Sequence, residues 1–274
     1  MSLEQMFEFV SATDPGMVRT NNEDSIACDP SRGLAVLADG MGGYNAGEVA
    51  SGIATTVITT ELQQLLEQTP PYMIEASTGK TVAERILRDQ VSRANTSIYE
   101  AAQSQPQYEG MGTTLVVALY YDNKMAVAHV GDSRLYLYRD EKFEQITRDH
   151  SVLQEQIDSG LITKEQAKVA ANKNLVTRAL GIEPTVETEI HEYETKLGDI
   201  YLLCSDGLCD MVSDEDIGDA LQMLGANLEL CVQQLVQMAN DNGGRDNVSV
   251  ILIRILREFP APRGVLSKVF GWLR

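Results

Sequence analysis

Residues Leu34–Gly43 read LAVLADGMGG, an apolar strand-like run that closes on a carboxylate, Asp39, and a loop with glycine at 40, 42 and 43. Such an ending makes either a tight turn, since Asp-Gly is a turn dipeptide, or a place where a carboxylate and bare backbone hold something. The rest of the chain repeats the pattern. MAVAHVGDS ends an apolar run at Asp132, IYLLCSDG ends another at Asp206, and GGRDNVSVILI begins one just after Asp246. Strands in adjacent sheets bring such acids to one edge, where their repulsion is costly unless a cation lies among them. The repetition favours the second reading.

The candidate ligands are hard oxygens without clustered histidine or thiolate, which selects Mg2+ or Mn2+ over zinc or copper. A side-chain-free GMGG then lets the Gly40 carbonyl reach a metal. Upstream, GMVRTNNEDS supplies Arg19 with Glu23 and Asp24. An arginine beside a cation cluster is well placed when an anion bridges the two, and guanidinium grips phosphate bidentately. The competing reading of Arg19 is an ion pair with Glu23 or Asp24.

Composition narrows the classes. At 274 residues the chain is long enough to bury a substantial core, and 43% hydrophobic with 23% charged residues is ordinary for a globular protein. The net charge of −18 is not ordinary. It argues against a nucleic-acid partner, which needs a basic stripe, and leaves room for a site that collects cations. Cys28, Cys204, Cys209 and Cys231 form no CxxC pair, zinc spacing or disulfide framework. With no signal pattern at the N-terminus and no apolar run of membrane-spanning length, the expectation is a cytoplasmic protein.

Three strand-like runs come first, Phe7–Thr13, Ser25–Asp29 and Leu34–Ala38, followed by helical periodicity over Ala46–Glu67 and Thr81–Ser104 with a proline-bearing loop between them. Strand-rich sequence returns from Gly112, with YDNK as a hairpin signal. Asp149–Asn174 reads as two short helices around Gly160, a mobile insertion. Two more strands end at Asp206, two helices follow (Asp214–Leu224 and Asn227–Asn242), and NVSVILIRIL closes the domain. The order is not a repeating βαβ unit. It predicts an α+β fold, antiparallel sheets packed on one another with helix pairs outside.

These residues match a family. GMVRTNNEDS, LADGMGG with GEVAS, GMGTTLVVAL, AHVGDSRLYLY, ITRDHS, VTRALG, LLCSDGL and GGRDNVSVI, in that order, are similar to the metal-dependent protein phosphatases of the PP2C (PPM) type, bacterial branch. The resemblance implies a central β-sandwich flanked by helix pairs, a four-layer αββα arrangement with the metal centre at one end. It implies hydrolysis of phosphoserine and phosphothreonine in proteins by direct attack of a water bridging two Mn or Mg ions. Carried over, Asp39 bridges the two metals, Asp206 and Asp246 complete one shell, and the Gly40 carbonyl serves the other with Glu23 and Asp24, directly or through water. Asp132 with Asp206 holds a weaker third metal. Arg19 binds the substrate phosphate, and Asn247 supports the site at the substrate. Arg19, Asp39 and Asp206 are the expected catalytic residues, in a phosphatase domain over 7–256 whose flap-like insertion is 149–174. The expected partners are phosphorylated proteins, among them a serine/threonine kinase or its targets, acted on by a monomer.

Departures matter too. Animal relatives place a candidate acid histidine two residues after the bridging aspartate, where this chain has Met41, and Tyr44 stands where many bacterial relatives have histidine. The leaving-group acid is open between a metal-bound water and Tyr44. His129 reads as a core residue, His191 as surface, and His150 opens the insertion. A catalytically silent relative that binds phosphoproteins or a partner is the rival reading, but silence predicts a lost ligand and every acid is present. From Arg257 the chain reads as a linker and then a basic tail. Its apolar residues Val265, Leu266, Val269, Phe270, Trp272 and Leu273 either fold back on the domain or dock a partner or membrane surface.

Overall fold

The computed structural model describes residues 3–43, 46–163, 166–167 and 175–262. Strand β1 (Phe7–Asp14) is followed by β2 (Asp24–Asp29) and β3 (Leu34–Met41), then by helices α1 (Ala46–Gln68) and α2 (Val82–Ser104). The chain returns through β4 (Gly112–Thr113), β5 (Leu115–Tyr121), β6 (Lys124–Val130), β7 (Arg134–Arg139) and β8 (Lys142–Gln145). Helix α3 (Val152–Asp158), β9 (Glu189–Glu194) and β10 (Ile200–Cys204) come next. Helices α4 (Asp206–Cys209), α5 (Asp214–Leu224) and α6 (Leu228–Asp241) precede the last strand, β11 (Val248–Ile255).

Two sheets result, ordered β1-β11-β10-β7-β8 and β2-β3-β5-β6-β9, with the pairs antiparallel. Strand periodicity assigns the layers. In β3, Leu34, Val36 and Ala38 pack with α1 and α2, while Ala35 and Leu37 face the space between the sheets. In β11, Val248, Val250 and Leu252 pack under α5 and α6, and Ile251, Ile253 and Ile255 turn inward. Both faces of the central strands are thus covered, which is why they read as continuous apolar runs rather than as alternation. The α+β sandwich with outer helix pairs is the architecture expected from the sequence.

Local chemistry sets the element ends. Thr81 caps α2 by accepting from the Glu84 amide at 3.2 Å, and Ser213 and Asn227 do the same for α5 and α6. Asp122 and Asn123, with φ of 46° and 57°, make the left-handed two-residue turn that the YDNK signal predicts between β5 and β6.

Three expectations change. Strand β3 does not stop at Ala38. It runs through Asp39 and Gly40 to Met41, because Gly40 and Met41 pair with Thr113 and Gly112 of β4. In the insertion, α3 and Gly160 fall where expected, but most of the second predicted helix lies outside the described residues, as do 164–165 and 168–174 of the stretch expected to be mobile. Phe259, read as part of a linker, is buried at 6% exposure against Phe7, with ring centroids 4.8 Å apart. The basic tail from Arg263 onward and Tyr44 also lie outside the described residues. Among the described residues no helix is long and apolar enough to cross a membrane.

Candidate active site

Side-chain parity aims Asp39. Ala35 and Leu37 face the inter-sheet core, so Asp39, two residues on, continues that row at the end of the sandwich; a one-residue slip would turn it into the helix layer. Its backbone is pinned from three directions. Its amide donates to Thr114 Oγ1 at 3.2 Å, and its carbonyl accepts from the Thr114 amide at 2.9 Å and from Thr113 Oγ1 at 2.8 Å. Asp24 lies directly across the β2–β3 ladder from Asp39.

Asp24 also ties the two sheets together. Ser205 donates from Oγ to Asp24 Oδ2 at 2.8 Å and accepts from the Ser249 amide at 3.0 Å. The other oxygen, Asp24 Oδ1, is buried without a hydrogen-bond partner. Burial pushes the Asp24 carboxyl up to about 6, opposed by the Ser249 and Ser205 hydroxyls. Asp39 is raised well above the usual range by burial and then by repulsion from Asp24, Asp206, Asp132 and Asp246. Asp206, at the first position of α4, is raised by burial and by Asp132, Asp210, Asp246 and Asp24. Asp132, just past the end of β6, is pushed up to about 6 by burial and then by Asp149. Acids from both sheets therefore share one electrostatic basin, as the strand-end pattern predicts.

Asp210 belongs to the same basin, raising both Asp206 and Asp132, and the sequence reading missed it. The signal was present, since an acid four residues after Asp206 falls one helical turn along α4.

Arg19 is half-exposed and donates from Nη2 to Asp246 Oδ2 at 2.8 Å. Its alternative partner is therefore Asp246, and not Glu23 or Asp24. Its positive charge is favoured first by Asp246, against the effect of partial burial, and then by Glu23 and Asp206. Burial raises Glu23, with Arg19 opposing.

Gly40 also serves the packing. A Cβ there would lie 2.1 Å from the Gly47 carbonyl oxygen and 2.6 Å from that of Glu23, so the glycine lets the start of α1 close onto β3. Asn247 also changes role. It is buried, its Nδ2 donates to the Pro15 and Asn21 carbonyls at 3.0 and 2.9 Å, and its Oδ1 accepts from the Glu23 amide at 2.8 Å. Every polar atom of the amide is committed to the backbone that carries Arg19 and Glu23. Asn247 shapes that loop, and with both Nδ2 hydrogens committed it has no donor left for a substrate phosphate.

The donor set fits a hard divalent cation. Carboxylates whose negative charge is disfavoured by burial and then by one another, with an orphaned oxygen at Asp24, are what a cation would relieve. Yet among the described residues the trio whose donor atoms all fall within 4.8 Å of one another is His129, His150 and Glu189, not the aspartates. The histidine trio is no metal shell. The His129 and His150 rings stack at 4.8 Å and 18°, so their lone pairs run parallel instead of meeting, and both rings already bond the backbone.

The model of the family described as protein phosphatase 2C matches residues 18–252. The chain belongs to the protein phosphatase 2C family. The serine/threonine protein phosphatase PstP of Mycobacterium tuberculosis is 38% identical over 254 residues, covering 92% of this chain and 45% of PstP. The chain thus spans less than half of that relative. The protein phosphatase PhpP of Streptococcus pneumoniae is 35% identical over 251 residues, covering 90% of this chain and 96% of PhpP. Among solved structures, the catalytic domain of PstP in complex with two manganese ions superposes with a TM-score of 0.78 at 38% identity, over 92% of this chain and 99% of that one.

Proposed function

We propose that this chain is a metal-dependent protein phosphatase that hydrolyses phosphoserine and phosphothreonine. The observation that carries the reading is the basin of buried acids at one end of the sandwich, with a half-exposed arginine at its rim. Asp39, Asp206 and Asp246 would hold one ion, and Asp39, the Gly40 carbonyl and the Glu23–Asp24 pair would hold the other. Asp132 with Asp206 would hold a weaker third, in each case Mn2+ or Mg2+. When bound, the two tightly held cations supply positive charge against the phosphoryl oxygens and lower the pKa of water between them.

The chain's own residues do the rest. The carboxylates fix the cations relative to the sandwich, and Asn247 fixes the loop bearing Arg19. Asp246 would share its carboxylate between a cation and Arg19, and the half-exposed guanidinium would grip the substrate phosphate and orient it for in-line displacement. His129 and His150 are tied elsewhere, so neither is offered as the acid for the leaving serine or threonine. Phosphorylated proteins, including a kinase or its targets, are the substrates this chemistry suits, with the chain acting as a cytoplasmic monomer. Residues from about 7 to 262 would form the phosphatase domain. The silent alternative has no observation in its favour.

The test is turnover of a phosphothreonine peptide with Mn2+, with and without chelator, in the native chain and in Asp39→Asn. Native turnover should vanish with chelator, and the variant should lose orders of magnitude with metal present. In chelator the variant should melt higher than the native chain, because one of the repelling acids is gone. Chelator-resistant turnover, or a variant of near-native rate, would sink the proposal.

A further inference from the structure

The three histidines of the chain gather around one carboxylate. Glu189 Oε2 lies 3.2 Å from His150 Nε2, and Glu189 Oε1 lies 2.8 Å from His191 Nε2. His129 sits directly across the β6–β9 ladder from Glu189 and stacks on His150. The group lies where the insertion leaves and rejoins the sandwich, since the His150 carbonyl accepts from the Thr177 amide at 2.8 Å.

Hydrogen-bond chemistry fixes the protons. The Gly131 amide approaches His150 Nδ1 at 3.1 Å, and a backbone N–H can only donate, so Nδ1 carries a lone pair. The neutral ring then keeps its hydrogen on Nε2, where it donates to Glu189. That orientation matters for the next residue along. The His150 amide also donates to the Gly131 carbonyl at 2.9 Å, so one residue holds both polar backbone groups of Gly131.

Gly131 needs holding. Its φ is 104°, a region that L residues rarely adopt, and a Cβ there would lie 2.6 Å from Thr114 Cβ. Glycine is therefore required, and glycine is the residue least able to fix its own conformation. The turn it starts carries Asp132 and then Ser133, whose hydroxyl is 2.7 Å from the Thr114 hydroxyl that also accepts from the Asp39 amide.

We propose that His150, oriented by Glu189, is a positioning residue that clamps Gly131 and so sets Asp132 for the weaker third metal. The inference rests on the reading of Asp132 as a ligand given above. It differs from simple core packing in one respect. What counts is an acceptor at the place of Nδ1, not the volume of the ring.

Asparagine offers an oxygen at the place of Nδ1, whereas glutamine is nearer in volume but offers its polar atoms at the place of Nε2. The experiment uses the full chain as native protein, His150→Asn, His150→Gln, Glu189→Gln, Glu189→Ala and Asp132→Asn. Hydrogen exchange of the Gly131 amide is read by NMR in chelator, and Mn2+ affinity of the weakest site by paramagnetic resonance titration. Imidazole nitrogen shifts of the native chain should report the Nε2–H form of His150. His150→Asn and Glu189→Gln, which keep the acceptors, should stay near native. His150→Gln and Glu189→Ala should speed Gly131 exchange and weaken the third site about tenfold, the scale of one buried hydrogen bond.

Glutamine equal to or better than asparagine would assign His150 to packing alone and overturn the clamp. So would unchanged Gly131 exchange in Glu189→Ala, a substitution at a partly exposed residue that stands in if His150→Gln does not fold. If Asp132→Asn still binds the weakest ion, the ligand assignment of Asp132 is at fault. In that case the coupling to the metal falls with it, and Gly131 exchange still decides whether the clamp exists.

Discussion

Arg19 holds two partners in prospect, and only one is present without substrate. Its ion pair with Asp246 is half-exposed, so its net worth to stability is small. A phosphate gripped by the same guanidinium would gain charge-assisted hydrogen bonds of about 1.5–3 kcal/mol. Arg19→Ala should therefore raise KM for a phosphopeptide by about ten- to a hundredfold, with a smaller fall in kcat and little change in melting temperature. Steady-state kinetics decide it, and an unchanged KM would leave Arg19 as a partner of Asp246 only. Other single residues were harder to read in advance. Asp39, Asp132, Asp206 and Asp246 announced themselves because each stands where an apolar run meets glycine or serine. Asn247 was carried over from the family resemblance as a support of the site at the substrate. Its real contacts, the Pro15 and Asn21 carbonyls and the Glu23 amide, lie more than two hundred residues away along the chain. Nothing local marks such a partner.

Among the elements, those with their own punctuation were legible. Helix α2 begins at the Thr-x-x-Glu cap of Thr81, and the β5–β6 turn at Asp122–Asn123 is written in residues that tolerate positive φ. The histidine group was not legible, because His129 and Glu189 meet only through the pairing of β6 with β9, across the whole insertion. The GMGG loop was legible as a bare stretch, but its packing role was not. Gly40 lies inside β3, and its missing side chain makes room for the Gly47 carbonyl at the start of α1. Gly40→Ala should push α1 away from β3 and cost about 1–3 kcal/mol, the range for overpacking a tight contact. The shift should also disturb the Glu23 carbonyl, which accepts from the Gly40 amide at 3.1 Å. A urea midpoint equal to that of the native chain would show that the backbone there yields freely, against the close approach described.

At the scale of the whole molecule, the sandwich separates its two ends. The acids gather at the end where Asp14 and Thr13 of β1 meet Val248 and Ser249 of β11, opposite the end where Phe7 meets Ile255. The chain beyond β11 closes that far end. Phe259 packs on Phe7 and Tyr120, its amide donates to Asn123 Oδ1, and the Ala261 amide donates to Asp122 Oδ1 at 2.8 Å. The segment thus covers the inter-sheet core and braces the β5–β6 turn, which is why a stretch with prolines at 260 and 262 reads as a linker yet behaves as part of the fold. Phe259→Ala should remove about 3 kcal/mol of stability, the lower part of the range for deleting a buried aromatic ring, since this one lies at the edge of the core. Ending the chain after Leu256 should cost more, because the two bonds to the turn go as well. Both variants, assayed at a temperature where they remain folded, should keep native Mn2+-dependent turnover, since the lesion lies at the end of the sandwich remote from Asp39. A thermal melt that matches the native chain would return the segment to the status of a linker, and a folded variant with impaired turnover would mean that the two ends of the sandwich are coupled.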